Sequence, residues 1–131
     1  MGALSKYTIK HVHGRRVWDS RGRPTVEVDV TLRYGAIGRA IAPAGVSTGS
    51  GEAAELRDGG ETFGGQDVQG AISAVNTEIH LALKNEDVRD QERIDNVLRE
   101  LDGTKNKSRL GGNALIATSM AVLHAAAAVE K

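Results

Sequence analysis

The chain has 131 residues, enough for one domain with a modest hydrophobic core, and its 17 basic residues balance 17 acidic ones. This balance excludes a strong electrostatic attraction to nucleic acid or to an anionic membrane surface. The absence of cysteine excludes disulfides and thiolate metal sites and fits a reducing compartment, so we expect a cytoplasmic protein. The longest apolar stretch, residues 114–129, is shorter than a bilayer span and carries polar interruptions, so we expect no membrane segment.

The first third of the chain has the pattern of β-strands. In TVEVDVTL, residues 25–32, apolar and polar side chains alternate without error, which predicts a strand with one buried face. Stretches 7–18 and 36–43 resemble strands less cleanly, and turn-forming residues at 19–24 and 33–36 separate the three. We therefore predict a three-stranded antiparallel meander over residues 8–42.

The second half of the chain changes to a helical period, with apolar residues recurring every three or four positions. These residues are Val68, Ile72, Val75, Ile79 and Leu83, followed by Ile94, Val97, Leu98 and Leu101. Asp90 stands where an N-cap belongs, and Gly103 stands where a left-handed residue ends a helix. We predict helices near 68–84, 91–101 and 113–129, and hence an α+β fold in which a β-meander is followed by a helical subdomain.

The last predicted helix is apolar or small at almost every position between Ala114 and Val129. A helix that is apolar all round is normally buried on all sides. One meander and two other helices cannot easily surround it. We therefore expect an exposed apolar patch on this helix, of the kind that marks an interaction surface.

The stretch APAGVSTGSGEAAELRDGG, residues 42–60, is the strongest candidate for a functional loop. Its glycines permit unusual backbone angles, and the hydroxyls of Ser47, Thr48 and Ser50 offer oxygen ligands. A phosphate loop of the Walker type needs a lysine where Ser50 follows Gly49, and the dinucleotide fingerprint lacks its third glycine. From the spacing alone, an ordinary strand-to-helix connection is the favoured interpretation.

The four histidines give no metal site from the sequence. His11 and His13 share one strand face, but two ligands without a third do not make a site. His80 and His124 stand apart on predicted helices, where surface or packing roles are favoured.

Two groups of charged residues have a structural explanation that we prefer. Glu52, Glu55 and Asp58 suit the first turn of a helix, although carboxylates could also serve as acid/base groups or hard-cation ligands. The arginines between residues 15 and 23 form a loose basic cluster. Its acidic neighbours and the zero net charge argue against a nucleic-acid site.

Several longer motifs occur together in one order: DSRGRPTVEV (19–28), STG (47–49), ELRDG (55–59), ELDGTKNKSRLGGNA (100–114) and a closing alanine-rich helix. In this arrangement the chain closely resembles the N-terminal domain of enolases (phosphopyruvate hydratases) from about Val12 onward. In that family such a domain precedes a larger β/α barrel, and residues 1–131 correspond to the first domain alone.

The resemblance implies a function that is divided between the two domains. The barrel carries a lysine base, a glutamate acid and the carboxylates for a first Mg²⁺, and the enzyme converts 2-phosphoglycerate to phosphoenolpyruvate. The N-terminal loop closes over the loaded barrel. By resemblance Ser47 gives its hydroxyl and backbone carbonyl to the second Mg²⁺, while Gly45, Val46, Thr48 and Gly49 shape the loop. We therefore expect a fragment with no activity of its own.

The resemblance also implies partners and includes departures from the family pattern. Arg15 and Glu27 correspond to a dimer contact with the neighbouring subunit's barrel, which implies a homodimer or higher oligomer. Ala44, Val46 and Gly51 replace the family's serine, alanine and histidine, and 59–68 is one residue shorter than the family's segment. Two alternatives remain: a capping domain for a dehydratase of the wider superfamily acting on another carboxylate, and a stand-alone interaction module without catalysis.

Overall fold

Three strands form an antiparallel sheet in the first part of the chain. The computed structural model describes residues 4–43 and 54–130. Its strands are β1 (Ile9–Trp18), β2 (Pro24–Leu32) and β3 (Ile37–Ile41), which pair in the order β1-β2-β3. The predicted meander over residues 8–42 is confirmed.

The motif DSRGRP forms the turn between β1 and β2. Asp19 Oδ1 accepts hydrogen bonds from the backbone N–H groups of Arg21 and Arg23, each at 2.9 Å. The hydrogen bond from Arg23, supported by that from Arg21, holds the pKa of Asp19 below its ordinary value. Gly22 has φ of 78°, which glycine adopts without steric strain. The motif therefore encodes a specific turn that sets the register of the first strand pair.

Helices follow the sheet in the order that the sequence predicts. A helical segment comprises α1 (Gln69–Ala74), a π-helical turn (Val75–Ile79) and α2 (His80–Leu83) without interruption, and α3 (Gln91–Asp102) and α4 (Gly112–Val129) come after it. Asp90 Oδ1 accepts a hydrogen bond from the Arg93 N–H at 3.1 Å, and Gly103 is left-handed with φ of 72°. Both predicted caps of α3 are confirmed. The π-helical turn is a feature that the apolar spacing did not predict.

The core lies between the sheet and the helices. Helix α4 packs across β2 and β3, and the segment 69–83 packs along β1. The predicted apolar face of β2 is buried, as its residues Val26, Val28, Val30 and Leu32 are each 1% exposed or less. At Gly38 a Cβ atom would lie only 2.1 Å from the backbone nitrogen of Ala125, so the absence of a side chain lets β3 and α4 approach each other.

Helix α4 buries one side and leaves an apolar stripe on the other. Ile116, Met120 and Leu123 are exposed by 45%, 36% and 56%, and we call these three residues the α4 stripe. The expected apolar patch is thus present on this domain. The helix is longer than the stretch 114–129, and by length and composition it would suit a membrane span, but half of its residues are buried within the fold, as in the core helix of a folded domain.

Candidate functional site

The candidate loop starts from the sheet. Beyond β3, the Ala42 N–H donates to the Val26 carbonyl at 2.8 Å, and the Thr25 hydroxyl donates to the Ala42 carbonyl at 2.9 Å. Both Thr25 and Ala42 are buried. The chain is therefore held against β2 up to Ala42, two residues before Ala44.

On its downstream side, the candidate loop is tied to the start of α4. The Ala54 N–H donates to the Asn106 carbonyl at 2.7 Å, and the Ala54 carbonyl accepts from the Gly112 N–H at 2.6 Å. Two residues later, Asn113 Oδ1 accepts from the Leu56 N–H at 3.0 Å and Asn113 Nδ2 donates to the Leu56 carbonyl at 3.1 Å. The Asn113 side chain thus satisfies both backbone groups of Leu56, as a neighbouring strand would.

Residues 54–58 are not helical, so the expectation of a helix opening at Glu52, Glu55 and Asp58 is wrong for the part that the structure describes. Asp58 instead accepts hydrogen bonds from the N–H groups of Gln69 and Gly70, at 2.7 and 2.9 Å. It therefore covers the free N–H groups at the start of α1, the end of a helix where a carboxylate is most favourable.

Arg57 fastens the same segment to the sheet. Its Nη1 donates to the carbonyls of Pro24 and Gln66, at 2.5 and 2.7 Å, while Nη2 lies 3.4 Å from Glu55 Oε2. The motif ELRDG therefore has an anchoring function in its Leu, Arg and Asp positions.

The motif ELDGTKNKS builds the turn that carries the downstream anchor. Asp102 is 2% exposed. Its Oδ1 accepts from the Thr104 N–H at 3.0 Å and from the Thr104 hydroxyl, and its Oδ2 accepts from the Leu110 N–H at 2.8 Å. Burial would raise the pKa of Asp102, but these hydrogen bonds together bring the pKa below its ordinary value. The ionised Asp102 side chain thus binds both Thr104 and Leu110, and so holds together the turn that precedes α4.

The outer face of the sheet carries a network of charges. Arg15 and Glu27 are partners in the β1–β2 register, and Arg15 Nη1 lies 2.7 Å from Glu27 Oε1. Asp29 binds Arg15 and also Arg39, at 2.5 and 2.6 Å. The hydrogen bond from Arg15 lowers the pKa of Asp29 well below its usual range despite the opposing effect of burial, and the bonds to Asp29 and Glu27 raise the pKa of Arg15.

Two of the four arginines in the cluster seen in the sequence pair with carboxylates. Arg15 belongs to the charge network, and Arg16 Nη1 lies 3.2 Å from Asp67 Oδ1. The guanidinium of Arg16 also packs near the rings of Trp18 and Phe63, at 5.3 and 5.0 Å from their centroids.

His80 is not isolated, contrary to the expectation from the sequence. Its ring centroid lies 4.7 Å from that of His11, and the His11 and His13 rings stack at 6.0 Å. No group of three or more His, Asp or Glu side chains within 4–43 and 54–130 is arranged to hold a metal ion. His124 Nδ1 lies 2.6 Å from the Arg39 carbonyl at the sheet.

The structure places only one of the two sets of predicted site residues, and the predicted functions of both sets stay predictions. Gly45, Val46, Ser47, Thr48 and Gly49 lie outside the described residues, so their predicted functions stay predictions. The same is true of the substituted positions 44 and 51. Arg15 and Glu27 lie together on the outer sheet face.

Sequence reasoning missed the anchoring contacts of Asn113, Arg57 and Asp58. The signal for Asn113 was a polar residue that follows two glycines at the start of an otherwise apolar helix. For Asp58, the signal was a carboxylate before a helix that lacks a capping side chain at Val68.

Comparison with known proteins agrees with this architecture. Residues 9–131 match the family model described as "Enolase, N-terminal domain". Enolase 1 of Lactococcus lactis subsp. cremoris (strain SK11) is 55% identical over 124 residues, which make up 95% of this chain and 30% of that protein. The enolase of Streptococcus thermophilus is 52% identical over 124 residues, again 95% of this chain and 29% of that protein. The chain therefore spans about 30% of the length of these curated relatives.

Proposed function

The chain belongs to the enolase family, whose N-terminal domain it carries, and on this premise we propose that it forms the closing domain of a phosphopyruvate hydratase. The parent enzyme removes water from 2-phosphoglycerate to give phosphoenolpyruvate, a step of glycolysis in the cytoplasm. The observation that carries the proposal is the family match over residues 9–131, because it includes the loop motif and both segments that anchor the loop.

The proposed contribution of this chain to catalysis comes from the loop between Ala42 and Ala54, the two residues whose backbones are anchored. Ser47 would hold a Mg²⁺ ion through its hydroxyl and its backbone carbonyl, because a hard cation prefers oxygen ligands. When bound, the ion would supply positive charge to offset the negative charge that develops on the substrate. Closure of the loop excludes water and completes the site. Gly45, Val46, Thr48 and Gly49 set the path of the loop.

The support for this assignment comes from the hydrogen-bonded residues on either side of the loop. Ala42 and Ala54, on either side of 44–53, both have hydrogen-bonded backbones, at β2 on one side and at the α4 start on the other. A segment held at both ends can close along a defined path, which is what a loop that positions one ligand requires.

Most of the remaining chemistry is assigned to a second domain. General acid/base catalysis needs groups positioned at the reacting carbon. We assign the base, the acid and the carboxylates of the first Mg²⁺ to a C-terminal β/α barrel of the parent chain. We also propose that the α4 stripe packs against this barrel, which would cover its three exposed apolar side chains.

We propose that the parent enzyme is a homodimer or a higher oligomer. The outer sheet face would contact the neighbouring subunit's barrel through Arg15 and Glu27. The Arg15 side chain is 35% exposed even within its charge network, so it remains able to meet a partner.

A chimera tests the proposal. In Enolase 1 of Lactococcus lactis, this chain would replace the 124-residue segment that it matches. We expect the chimera to form phosphoenolpyruvate from 2-phosphoglycerate with Mg²⁺ present, measured by the ultraviolet absorbance of the product. The 131-residue chain and the remaining Lactococcus segment, each alone, should be inactive. A folded chimera without activity would favour a non-catalytic interaction module, and activity of the 131-residue chain alone would refute the division of labour.

A further inference from the structure

The outer edge of β1 has unpaired backbone groups that helix side chains cover. Since β1 stands at the end of the order β1-β2-β3, no strand within residues 4–43 and 54–130 lies along its outer edge, where only Ile9 bonds to other backbone, at Asn85 and Glu86. An uncovered edge is a template for pairing with another chain. Along this edge the Gly14 N–H donates to Asn76 Oδ1 at 2.7 Å, and Asn76 Nδ2 donates to the Gly14 carbonyl at 3.2 Å. Asn76 thus replaces a strand at Gly14.

His80 covers the next position on the same edge. The Val12 N–H donates to His80 Nδ1 at 3.1 Å, and the Val12 residue is fully buried. Asn76 lies within the π-helical turn Val75–Ile79 and His80 directly follows that turn. The two residues are four apart, and both side chains bind the same edge of β1. The two side chains therefore bind neighbouring positions of the same strand edge. The imidazole of His80 can titrate, whereas the amide of Asn76 cannot.

This contact exists only in one protonation state of His80. To accept from the Val12 N–H, Nδ1 must carry a free electron pair, so the ring is neutral with its proton on Nε2. Protonation at Nδ1 would turn the acceptor into a donor that faces another donor. The Val12 N–H would then be buried without a partner.

We propose that His80 is an acid-released latch on the open edge of β1: the neutral ring holds Val12, and the protonated ring lets this part of the edge open. The latch is independent of the proposed catalytic function, because it rests on contacts within residues 9–83. Its opening exposes a strand edge that could pair with another chain.

The surroundings of His80 move the release towards lower pH. Burial, followed by the charges of His11 on β1 and of Lys84 just beyond the end of α2, lowers the pKa of His80 below its ordinary value. His13 stacks on His11 and adds a further imidazole to the cluster. No charged group of α3 within the described residues contributes to this shift.

The sign of the effect follows from that direction. A histidine whose folded pKa is lowered stabilises the closed state fully above the unfolded pKa, which is about 6.5. As the pH falls below that value, the stabilisation declines until the folded pKa of His80 is passed. Acid therefore opens the latch.

Amide hydrogen exchange of the 131-residue chain, measured by NMR across a pH series, tests the latch at single residues. After correction for intrinsic exchange, we expect the protection of Val12 to fall by up to about tenfold per pH unit below pH 6.5 and then level off. The amide of Gly14, which is held by the non-titrating side chain of Asn76, should lose much less exchange protection over the same pH range. Equal loss at Val12 and Gly14 would overturn the proposal.

Two variants separate the latch from general acid sensitivity. His80→Gln keeps an acceptor oxygen without a titrating ring, so the excess loss at Val12 should disappear. His11→Gln removes a neighbouring positive charge, so the pKa of His80 should rise towards its ordinary value and the loss at Val12 should shrink. If His80→Gln does not fold, the proposal is decided by the comparison of Val12 with Gly14 in the wild-type chain and by the effect of His11→Gln on Val12. Nitrogen shifts of the His80 ring that place a proton on Nδ1 at neutral pH would contradict the proposal.

Discussion

Asn113 and Leu56, 57 positions apart in the chain, form a reciprocal pair in which one side chain satisfies both backbone groups of the other residue. Asn113 is 3% exposed, at the beginning of the helix that packs on the sheet. The pair therefore connects the core to the segment that ends the candidate loop.

Asn113→Ala should destabilise the domain by about 1–3 kcal/mol, because it leaves the N–H and carbonyl of Leu56 without partners in a partly buried place. Urea unfolding measures the loss, and the Leu56 amide should also lose exchange protection. Asn96→Ala, an exposed asparagine on α3, is the matched control and should change stability by less than about 0.5 kcal/mol. Equal effects of the two substitutions would mean that the pair contributes nothing specific.

The fold could be predicted wherever the information is local. The alternation in 25–32 predicted β2, and the caps Asp90 and Gly103 predicted both ends of α3, because these signals depend on neighbours in the chain. The failures have a different origin. Residues 54–58 contain helix-favouring acids, but a distant side chain, Asn113, binds both backbone groups of Leu56 in this non-helical segment.

The surroundings of single residues could not be predicted for the same reason. His80 looked solitary because His11 lies on another element and approaches it only through tertiary packing. The motif resemblance predicted a function for the candidate loop, whereas the residues that anchor its two ends needed coordinates. The family was readable from the sequence, and the contacts that hold the two ends of the candidate loop were not.

The charge network on the outer sheet face should make stability depend on pH. Asp29 has a lowered pKa, so its contribution is complete above the ordinary Asp pKa of about 3.9 and is lost as the pH falls below it. At neutral pH, Asp29→Asn should cost about 1–2 kcal/mol by weakening bonds from two arginines. Urea unfolding should show the difference from wild type shrinking between pH 5 and about pH 2.

The control for this prediction is an exposed ion pair. Glu78 and Arg109 lie 3.1 Å apart with side chains exposed by 47% and 44%, so Glu78→Gln should have little effect on stability. A difference between wild type and Asp29→Asn that stayed constant down to pH 2 would show that the carboxylate charge is not what Asp29 contributes.

The α4 stripe should make the 131-residue chain self-associate and bind hydrophobic molecules. With Ile116, Met120 and Leu123 exposed along one line, we expect binding of a hydrophobic dye and self-association that increases with concentration. Sedimentation and dye fluorescence measure both effects. Ile116→Gln combined with Leu123→Gln should reduce them strongly, whereas Leu81→Gln, which removes a single exposed leucine elsewhere, should not. A strict monomer at high concentration that binds no dye would contradict this expectation.

The most direct test of the central claim is the Mg²⁺ dependence of the chimera with Ser47→Ala. The claim is that this domain completes a catalytic site through one loop serine, so loss of the Ser47 hydroxyl should weaken the second metal site without changing the melting temperature. We expect turnover at limiting Mg²⁺ to fall by at least tenfold, with partial recovery at high Mg²⁺. Ser50→Ala, in the same loop, should retain most of the activity. Full activity of Ser47→Ala at limiting Mg²⁺ would contradict the account.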